Sequence, residues 1–280
     1  MKKTNISALL LAALLLIQLL CAPVSAVTAE PAADAQADAQ TASDNSAEDA
    51  SAEADSVPED QLLSSREQFS VAAKAALLID LNTNRVVYEQ DADERVYPAS
   101  LTKIMTCLIA LENGNLSDVV TVSESALADL DEDSSVAGLV VGEQMTLENL
   151  LYCMMVVSGN DACNVIAEHV AGSVTDFVRM MNQRAYELGC TNTHFNNPHG
   201  LHDESHYTTA RDLAIITQAA LKSENFRQIV DTYEYKLPDD NMRQNIPKLK
   251  TTNMLIYQSM SNSLYYPRAH GIKTGYTSQA

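Results

Sequence analysis

The chain has 280 residues, and its 37 acidic residues outnumber its 18 Lys and Arg residues, which gives a formal net charge of −19 at pH 7. The sequence has no basic cluster of the kind that binds a phosphate backbone, so no nucleic-acid partner is expected. The length allows one sizeable folded domain with shorter segments beside it.

Two segments precede the predicted domain. Residues 1–26 have two lysines, an apolar stretch from Ala8 to Leu20 and small residues ending at Ala26, which predicts a cleaved secretory signal peptide and an exported protein. A lipoprotein signal at Cys21 is the weaker alternative, because the bulky Leu20 precedes it. Residues 27–65 contain ten acidic residues and no Lys or Arg, which predicts a disordered acidic linker.

Residues 66–280 form the predicted folded domain. Short apolar or β-branched runs predict strands at Ala75–Asp80, Arg85–Glu89, Val119–Val122, Tyr233–Leu237, Leu249–Thr252 and Gly271–Thr277. Apolar residues at helical spacing predict helices from Ser100 to Asn113-Gly114 and over 147–157, 161–171, 174–188 and 210–222. Thr146 and Thr208-Thr209 are the expected caps of two of these helices.

This order of elements predicts an α+β fold, layered, in which helices cover a mostly antiparallel sheet. The helix over 147–157 is apolar almost all round and should be buried. Four cysteines follow the predicted signal peptide: Cys107, Cys153, Cys163 and Cys190. Disulfides are possible in an exported protein, and buried free thiols are at least as compatible with these apolar runs.

Ser100 and Lys103 are the first candidate catalytic pair. Residues three apart in a helical turn share a face, so this hydroxyl and this amine can exchange a proton. A serine hydroxyl is a weak nucleophile at neutral pH and needs an adjacent base. Taken alone, however, the spacing more often means a capping serine followed by a surface lysine.

Two later segments change that interpretation. Ser158-Gly159-Asn160 lies between two predicted helices, and Lys273-Thr274-Gly275 lies in the last predicted strand. Either could be an ordinary turn or strand end. The three segments in this order are typical of penicillin-binding proteins and class A β-lactamases, which have Asp where Gly159 stands.

A histidine-rich loop is the rival signal, because a metallopeptidase would be a different class of enzyme. His202-Asp203-Glu204-Ser205-His206 has the histidine spacing of a zinc peptidase, but its Glu is one place late. Pro198 and Gly200 also favour a loop rather than the helix that such a site requires. Structural loop histidines are therefore the favoured interpretation, and no metal or other cofactor is expected.

Longer stretches extend the resemblance to a known family. They are Tyr97–Thr106, Val157–Ala162, Asn197–Leu201 and Tyr207–Ala214. Over roughly residues 70–280 the chain resembles the D-alanyl-D-alanine carboxypeptidases of the low-molecular-mass penicillin-binding proteins, serine peptidase family S11. In that family Ser-Gly-Asn is the usual middle motif. The resemblance implies the β-lactamase/transpeptidase-like fold.

The resemblance also implies a role for each motif residue. Ser100 would be the nucleophile, Lys103 its neutral base and Ser158 a proton relay to the leaving nitrogen. Asn160 would hold the substrate peptide. Lys273 and Thr274 would bind the terminal carboxylate, with Lys273 also the cation that keeps Lys103 neutral. Gly275 would let the substrate backbone lie against the strand, and the N–H groups of Ser100 and Tyr276 would form the oxyanion hole.

The expected function is removal of the terminal D-Ala from peptidoglycan stem pentapeptides, outside the cytoplasmic membrane, with penicillins as acylating inhibitors. A β-lactamase and an inactive peptidoglycan-binding homologue are the alternatives. A β-lactamase needs an efficient deacylating base, for which Glu143 and Glu148 are the nearby carboxylates. The resemblance further implies that the domain of residues 66–280 is C-terminally truncated, and that membrane association would need a missing C-terminal anchor.

Overall fold

The structure, a computed structural model, describes residues 71–128, 130 and 134–279. The predicted signal peptide and linker lie outside the described residues and stay predictions. Over the described part of the chain, no helix has the length and apolar character needed to cross a bilayer.

Seven helices are formed within the described residues, and those predicted from the sequence lie where expected to within three residues. Their bounds are α1 Lys103–Asn113, α2 Glu124–Ala128, α3 Leu147–Val156, α4 Asn160–Ala171, α5 Val174–Glu187, α6 Ala210–Ala220 and α7 Glu224–Val230. Hydroxyl side chains begin two of the predicted helices as expected: Thr146 accepts from the Asn149 N–H, and Thr209 accepts from the Asp212 N–H. The helices α2 and α7 were not predicted.

The strands of the described residues pair as three antiparallel ribbons of two strands each. Their bounds are β1 Ala76–Asp80 with β2 Arg85–Gln90, β3 Val119–Thr121 with β4 Gln144–Thr146, and β5 Glu234–Tyr235 with β6 Leu249–Lys250. Helices with small antiparallel sheets confirm the predicted α+β class. The first hairpin is confirmed with its turn at residues 81–84.

One predicted strand is wrong. Residues 271–277 have no strand or helix conformation, because none of the described strands pairs with them. Side-chain bonds hold the segment instead: the Asn253 amide donates to the Gly271 carbonyl at 2.8 Å. A β-branched, glycine-flanked run predicts a strand only if a neighbour supplies the ladder hydrogen bonds.

The core is built around α3 and α4, which pack against each other. Leu147, Leu150, Leu151 and Met154 are fully buried, which confirms that this helix lies inside the domain. The four cysteines are all buried and free, so the thiol interpretation holds and the disulfide alternative does not. A close-packed helix pair in this position gives the turn between its helices a rigid support.

Candidate active site

Ser100 and Lys103 lie at the start of α1. Pro98 leads into a single 3-10 turn, Ala99–Thr102, and the α-helix begins at Lys103. Ser100 therefore lies in a tighter turn than predicted, just before the α-helix. The turn still brings the two side chains together, with 3.0 Å between Lys103 Nζ and Ser100 Oγ.

Lys103 is fully buried, which is exceptional for a lysine. Its Nζ donates to Asn160 Oδ1 at 2.7 Å and to the His199 carbonyl at 2.7 Å, besides its contact with Ser100. Burial lowers the pKa of Lys103 because an ammonium without bulk water is costly. Burial is one of the two conditions expected to favour a neutral amine, and Lys103 meets it. Among the described residues, no carboxylate forms an ion pair with Lys103.

Ser158 and Asn160 come from the turn between α3 and α4, as predicted. Ser158 has a left-handed backbone with φ of 64°, and its Oγ donates to Ser100 Oγ at 3.0 Å. Asn160 is the first residue of α4, and its N–H donates to the Ser135 carbonyl at 2.8 Å. The first and second motifs therefore meet in one cluster of four polar side chains: Ser100, Lys103, Ser158 and Asn160.

Asp161 supports this turn and was missed by the sequence reasoning. Its buried carboxylate accepts the N–H groups of Ala137, Gly138 and Leu139 at 2.9–3.0 Å. Residues 137–139 are thereby hydrogen-bonded to the first turn of α4. An Asp directly after Ser-Gly-Asn was the available signal, but a helix-start Asp is too common to single out.

Lys273 is also buried, and the third motif lies against the nucleophile turn. Burial, and then the charge of Lys103, lower the pKa of Lys273 to about 7. The charge effect found here is that of Lys103 on Lys273, and the expected effect of Lys273 on the protonation of Lys103 stays a prediction. Lys273 Nζ donates to the Thr274 carbonyl at 2.9 Å, and Thr274 Oγ1 lies 2.7 Å from Thr252 Oγ1.

Gly275 packs against the nucleophile turn, and its expected role beside the substrate backbone stays a prediction. A Cβ at this position would lie 3.1 Å from the Pro98 carbonyl oxygen and 3.3 Å from the Ala99 Cβ. Glycine therefore allows the segment to approach the Ser100 turn closely. Tyr276 is 83% exposed and lies outside the strands of the described residues, so none of their ladders holds its N–H.

The loop over residues 191–207 holds the other side of α1. Thr106 Oγ1 donates to the Pro198 carbonyl at 2.6 Å, and Thr102 Oγ1 lies 2.8 Å from His206 Nε2. Gly200 has φ of +93°, and a Cβ there would lie 1.8 Å from the Ala99 carbonyl oxygen. The loop packs tightly against the Ser100 turn, and this close approach brings the His199 carbonyl within hydrogen-bonding distance of Lys103 Nζ.

The histidines of this loop are occupied by protein contacts. His206 Nδ1 accepts the Asn196 N–H at 3.0 Å, which leaves its Nε2–H to donate to Thr102. His199 Nδ1 accepts the Leu201 N–H, and His202 lies edge-on against the Tyr97 ring. Across residues 71–128, 130 and 134–279, no group of three or more His, Cys, Asp or Glu is arranged to hold a metal ion.

The family model described as D-alanyl-D-alanine carboxypeptidase, peptidase S11, matches residues 62–280. The chain belongs to this family. The resemblance predicted from the motifs is thereby confirmed.

Individual members of the S11 family agree. D-alanyl-D-alanine carboxypeptidase DacF of Bacillus subtilis is 42% identical over 216 residues, covering 74% of this chain and 52% of the relative. DacA of Haemophilus influenzae is 37% identical, covering 75% and 52%. The chain spans about half the length of these two curated relatives.

Solved structures confirm the fold that the resemblance implied. The Streptomyces K15 DD-transpeptidase matches with a TM-score of 0.67 at 32% identity, covering 76% of this chain and 83% of that one. Penicillin-binding protein 5 of Haemophilus influenzae matches with a TM-score of 0.65 at 35% identity, covering 76% and 60%. The described helices and ribbons therefore belong to the transpeptidase-like architecture.

Proposed function

We propose that the protein is a serine-type D-Ala-D-Ala carboxypeptidase that removes the terminal D-Ala from peptidoglycan stem pentapeptides through an acyl-enzyme. The observation that carries the proposal is the set of three contacts around Lys103 Nζ: 2.7 Å to Asn160 Oδ1, 2.7 Å to the His199 carbonyl and 3.0 Å to Ser100 Oγ. Membership of the S11 family supports the same reaction.

These three contacts define what a neutral lysine would do. A neutral amine has two N–H donors and one lone pair. Asn160 Oδ1 and the His199 carbonyl can only accept, so they take both donors. The lone pair is left for the Ser100 hydroxyl proton, which makes Lys103 the general base, and burial keeps the amine from being permanently protonated.

Acylation then follows in balanced steps. Ser100 Oγ attacks the carbonyl carbon of the penultimate D-Ala while its proton passes to Lys103 Nζ, and a tetrahedral oxyanion forms. Collapse of this intermediate breaks the C–N bond, and Lys103 gives up its proton to the leaving nitrogen through Ser158, whose Oγ lies 3.0 Å from Ser100 Oγ, so that Lys103 is neutral again. D-Ala leaves, and the ester on Ser100 remains.

Deacylation repeats the sequence with water. Water attacks the ester carbonyl and gives its proton to Lys103. Collapse of the tetrahedral intermediate breaks the C–O bond to Ser100, and Lys103 returns the proton to Ser100 Oγ, so that the serine hydroxyl, the neutral lysine and the shortened peptide are left. We assign the oxyanion donors to the N–H groups of Ser100 and Tyr276 because the S11 resemblance implies them. Such donors contribute about 3 kcal/mol each where they are preorganised.

Carboxylate recognition falls to the third motif. We assign the terminal carboxylate to Lys273 and Thr274, and the substrate amide to Asn160. A buried ammonium placed beside a hydroxyl is a strong partner for a single anionic group, because little water competes for it. Penicillins carry a carboxylate at the corresponding place, so we expect them to acylate Ser100 as inhibitors.

The site of action follows from the predicted export signal. A chain cleaved after Ala26 would meet peptidoglycan on the outer side of the cytoplasmic membrane. The stem peptide is then the partner, and neither nucleic acid nor a metal ion has a part in the proposed reaction.

The β-lactamase alternative needs a base that speeds deacylation. Glu143 does not serve, because its carboxylate is fully buried and bonded to Arg243 Nε at 2.8 Å. Glu148 lies in the first turn of α3, at the opposite end of that helix from Ser158. A slowly hydrolysed penicilloyl-enzyme is the expected behaviour.

Labelled penicillin tests the proposal directly. Ser100→Ala should abolish both D-Ala release and covalent labelling, and peptide mass spectrometry should place the adduct of the unsubstituted protein on Ser100. Ser117→Ala, an exposed serine, is the matched control and should behave as the unsubstituted protein. An adduct on another residue would overturn the nucleophile assignment. Rapid release of the label would favour a β-lactamase, and labelling without D-Ala release would favour an inactive binding homologue.

A further inference from the structure

We infer that Thr252 is a positioning residue of the carboxylate site, holding the Thr274 hydroxyl in the orientation that binds the substrate's terminal carboxylate. The inference rests on the proposed function, because it presumes that Lys273 and Thr274 receive that group. It adds a residue that no motif contains and that lies more than twenty positions before the third motif in the sequence.

The first support is the placement of Thr252. Its N–H donates to the Val156 carbonyl at 3.2 Å, at the end of α3 and next to the Ser158 turn. The following residue, Asn253, is buried and its amide donates to the Gly271 carbonyl at 2.8 Å. The Thr252-Asn253 pair is therefore bonded both to the end of α3, just before the second motif, and to the segment that carries the third.

The second support is the hydroxyl pair itself. Thr252 Oγ1 lies 2.7 Å from Thr274 Oγ1, which is a full-strength distance for an O–H···O bond. Each hydroxyl has one proton, so one proton lies between the two oxygens and one is left to point elsewhere. If Thr252 donates, the free proton is that of Thr274 and is directed outward from the pair.

The third support is the surroundings of the pair. Lys273 Nζ donates to the Thr274 carbonyl at 2.9 Å, which is its one hydrogen bond to the described residues and leaves two N–H groups of the ammonium for a ligand. Thr252 is exposed and Thr274 is half-buried, so a ligand can reach both. The free hydroxyl proton and the free ammonium protons are the donors that a carboxylate with two oxygens requires.

The physical consequence is selectivity for a free acid. A Thr274 hydroxyl that already accepts from Thr252 is polarised, and its own proton becomes a better donor. Without Thr252, the Thr274 hydroxyl can rotate toward solvent. Loss of the Thr252 hydroxyl should therefore lower kcat/KM for substrates that carry a terminal carboxylate and leave kcat/KM for their amides unchanged.

The test uses Thr252→Val, which keeps the branched shape and removes the hydroxyl, and compares kcat/KM for an acyl-D-Ala-D-Ala peptide and its C-terminal amide. The preference for the free acid should fall about fivefold to tenfold. Thr252→Ser should restore it. Thr251→Val, whose hydroxyl accepts from the Asn253 N–H at 3.1 Å instead, is the neighbouring control and should keep the preference.

Two outcomes would overturn this inference alone: Thr252→Val retains the free-acid preference, or it slows both substrates equally, as a merely structural loss would. A double-mutant cycle sharpens the test, because Thr252→Val should have little further effect on selectivity in a Thr274→Val background. If the unsubstituted protein shows no free-acid preference, the carboxylate role of Lys273 fails and this inference fails with it. Acylation rates with benzylpenicillin and its methyl ester give the same comparison by an independent reaction.

Discussion

Lowering the pH from 7 to 5 should destabilise the fold through two buried histidines behind the nucleophile turn. Both His199 and His206 use Nδ1 as an acceptor for a backbone N–H, from Leu201 and Asn196 respectively. Protonation puts a hydrogen on Nδ1, so each of these bonds would be lost. The substitution that tests this is His206→Gln, which does not titrate and retains a donor and an acceptor.

The magnitude follows from the pKa values. Burial lowers the pKa of His206 from 6.5 to about 4 and that of His199 from 6.5 to about 3. Between these values and 6.5 the unfolded state binds a proton that the folded state does not, so the free energy of unfolding falls as pH falls. By the linkage relation each histidine accounts for about 2 kcal/mol between pH 7 and pH 5.

The assay is urea unfolding at a series of pH values. His206→Gln should cost about 1 kcal/mol at pH 7, through a poorer hydrogen bond, and should then lose about 2 kcal/mol less than the unsubstituted protein on acidification. His202→Gln, an exposed histidine in the same loop, is the control and should keep the full pH dependence. An unchanged slope for His206→Gln would refute the reasoning.

Three further predictions concern the site. Because burial and the charge of Lys103 lower the pKa of Lys273 to about 7, its ammonium is lost as pH rises through that value. The kcat/KM for free-acid peptides should therefore decline above pH 7, and the kcat/KM for amide peptides should show no such decline. Parallel pH profiles for the two substrates would contradict the carboxylate role of Lys273. EDTA should leave D-Ala release unchanged, because Lys103 already lies 3.0 Å from the nucleophile as a base; a loss restored by zinc would instead support a metal site in the histidine loop. Gly200→Ala should lower the unfolding free energy by about 3 kcal/mol or more and weaken penicillin labelling, because the added Cβ would overlap the Ala99 carbonyl oxygen. An unchanged melting temperature would show that the loop does not pack this closely against the Ser100 turn.

Local features of the sequence predicted the helices and the first hairpin well. Thr146 and Thr209 were recognisable caps because their hydroxyls satisfy N–H groups of the next turn, a contact that spans three residues. The strand predicted over 271–277 was wrong for the opposite reason: a strand needs a partner from elsewhere in the chain, and propensity does not reveal one.

The candidate site divides in the same way. Ser100, Lys103, Ser158, Asn160 and the third motif could be named from the sequence, because the chemistry requires particular side chains at short, regular spacings and the S11 resemblance repeats them. Main-chain groups and single polar residues gave no such signal. The His199 carbonyl that takes one Lys103 proton is the clearest case, since every residue has a carbonyl.

The sequence by itself determined the family and most helix boundaries, and it named the candidate reactive side chains, since each depends on residue type and on contacts within a few positions. Tertiary structure alone decided which acceptors surround Lys103, that burial lowers the pKa of both lysines, and that Thr252 meets Thr274. Those properties depend on groups 22 to 96 positions apart. Their distance in space is set by packing of the whole domain, and protonation and hydrogen bonding respond to that distance and to the exclusion of water.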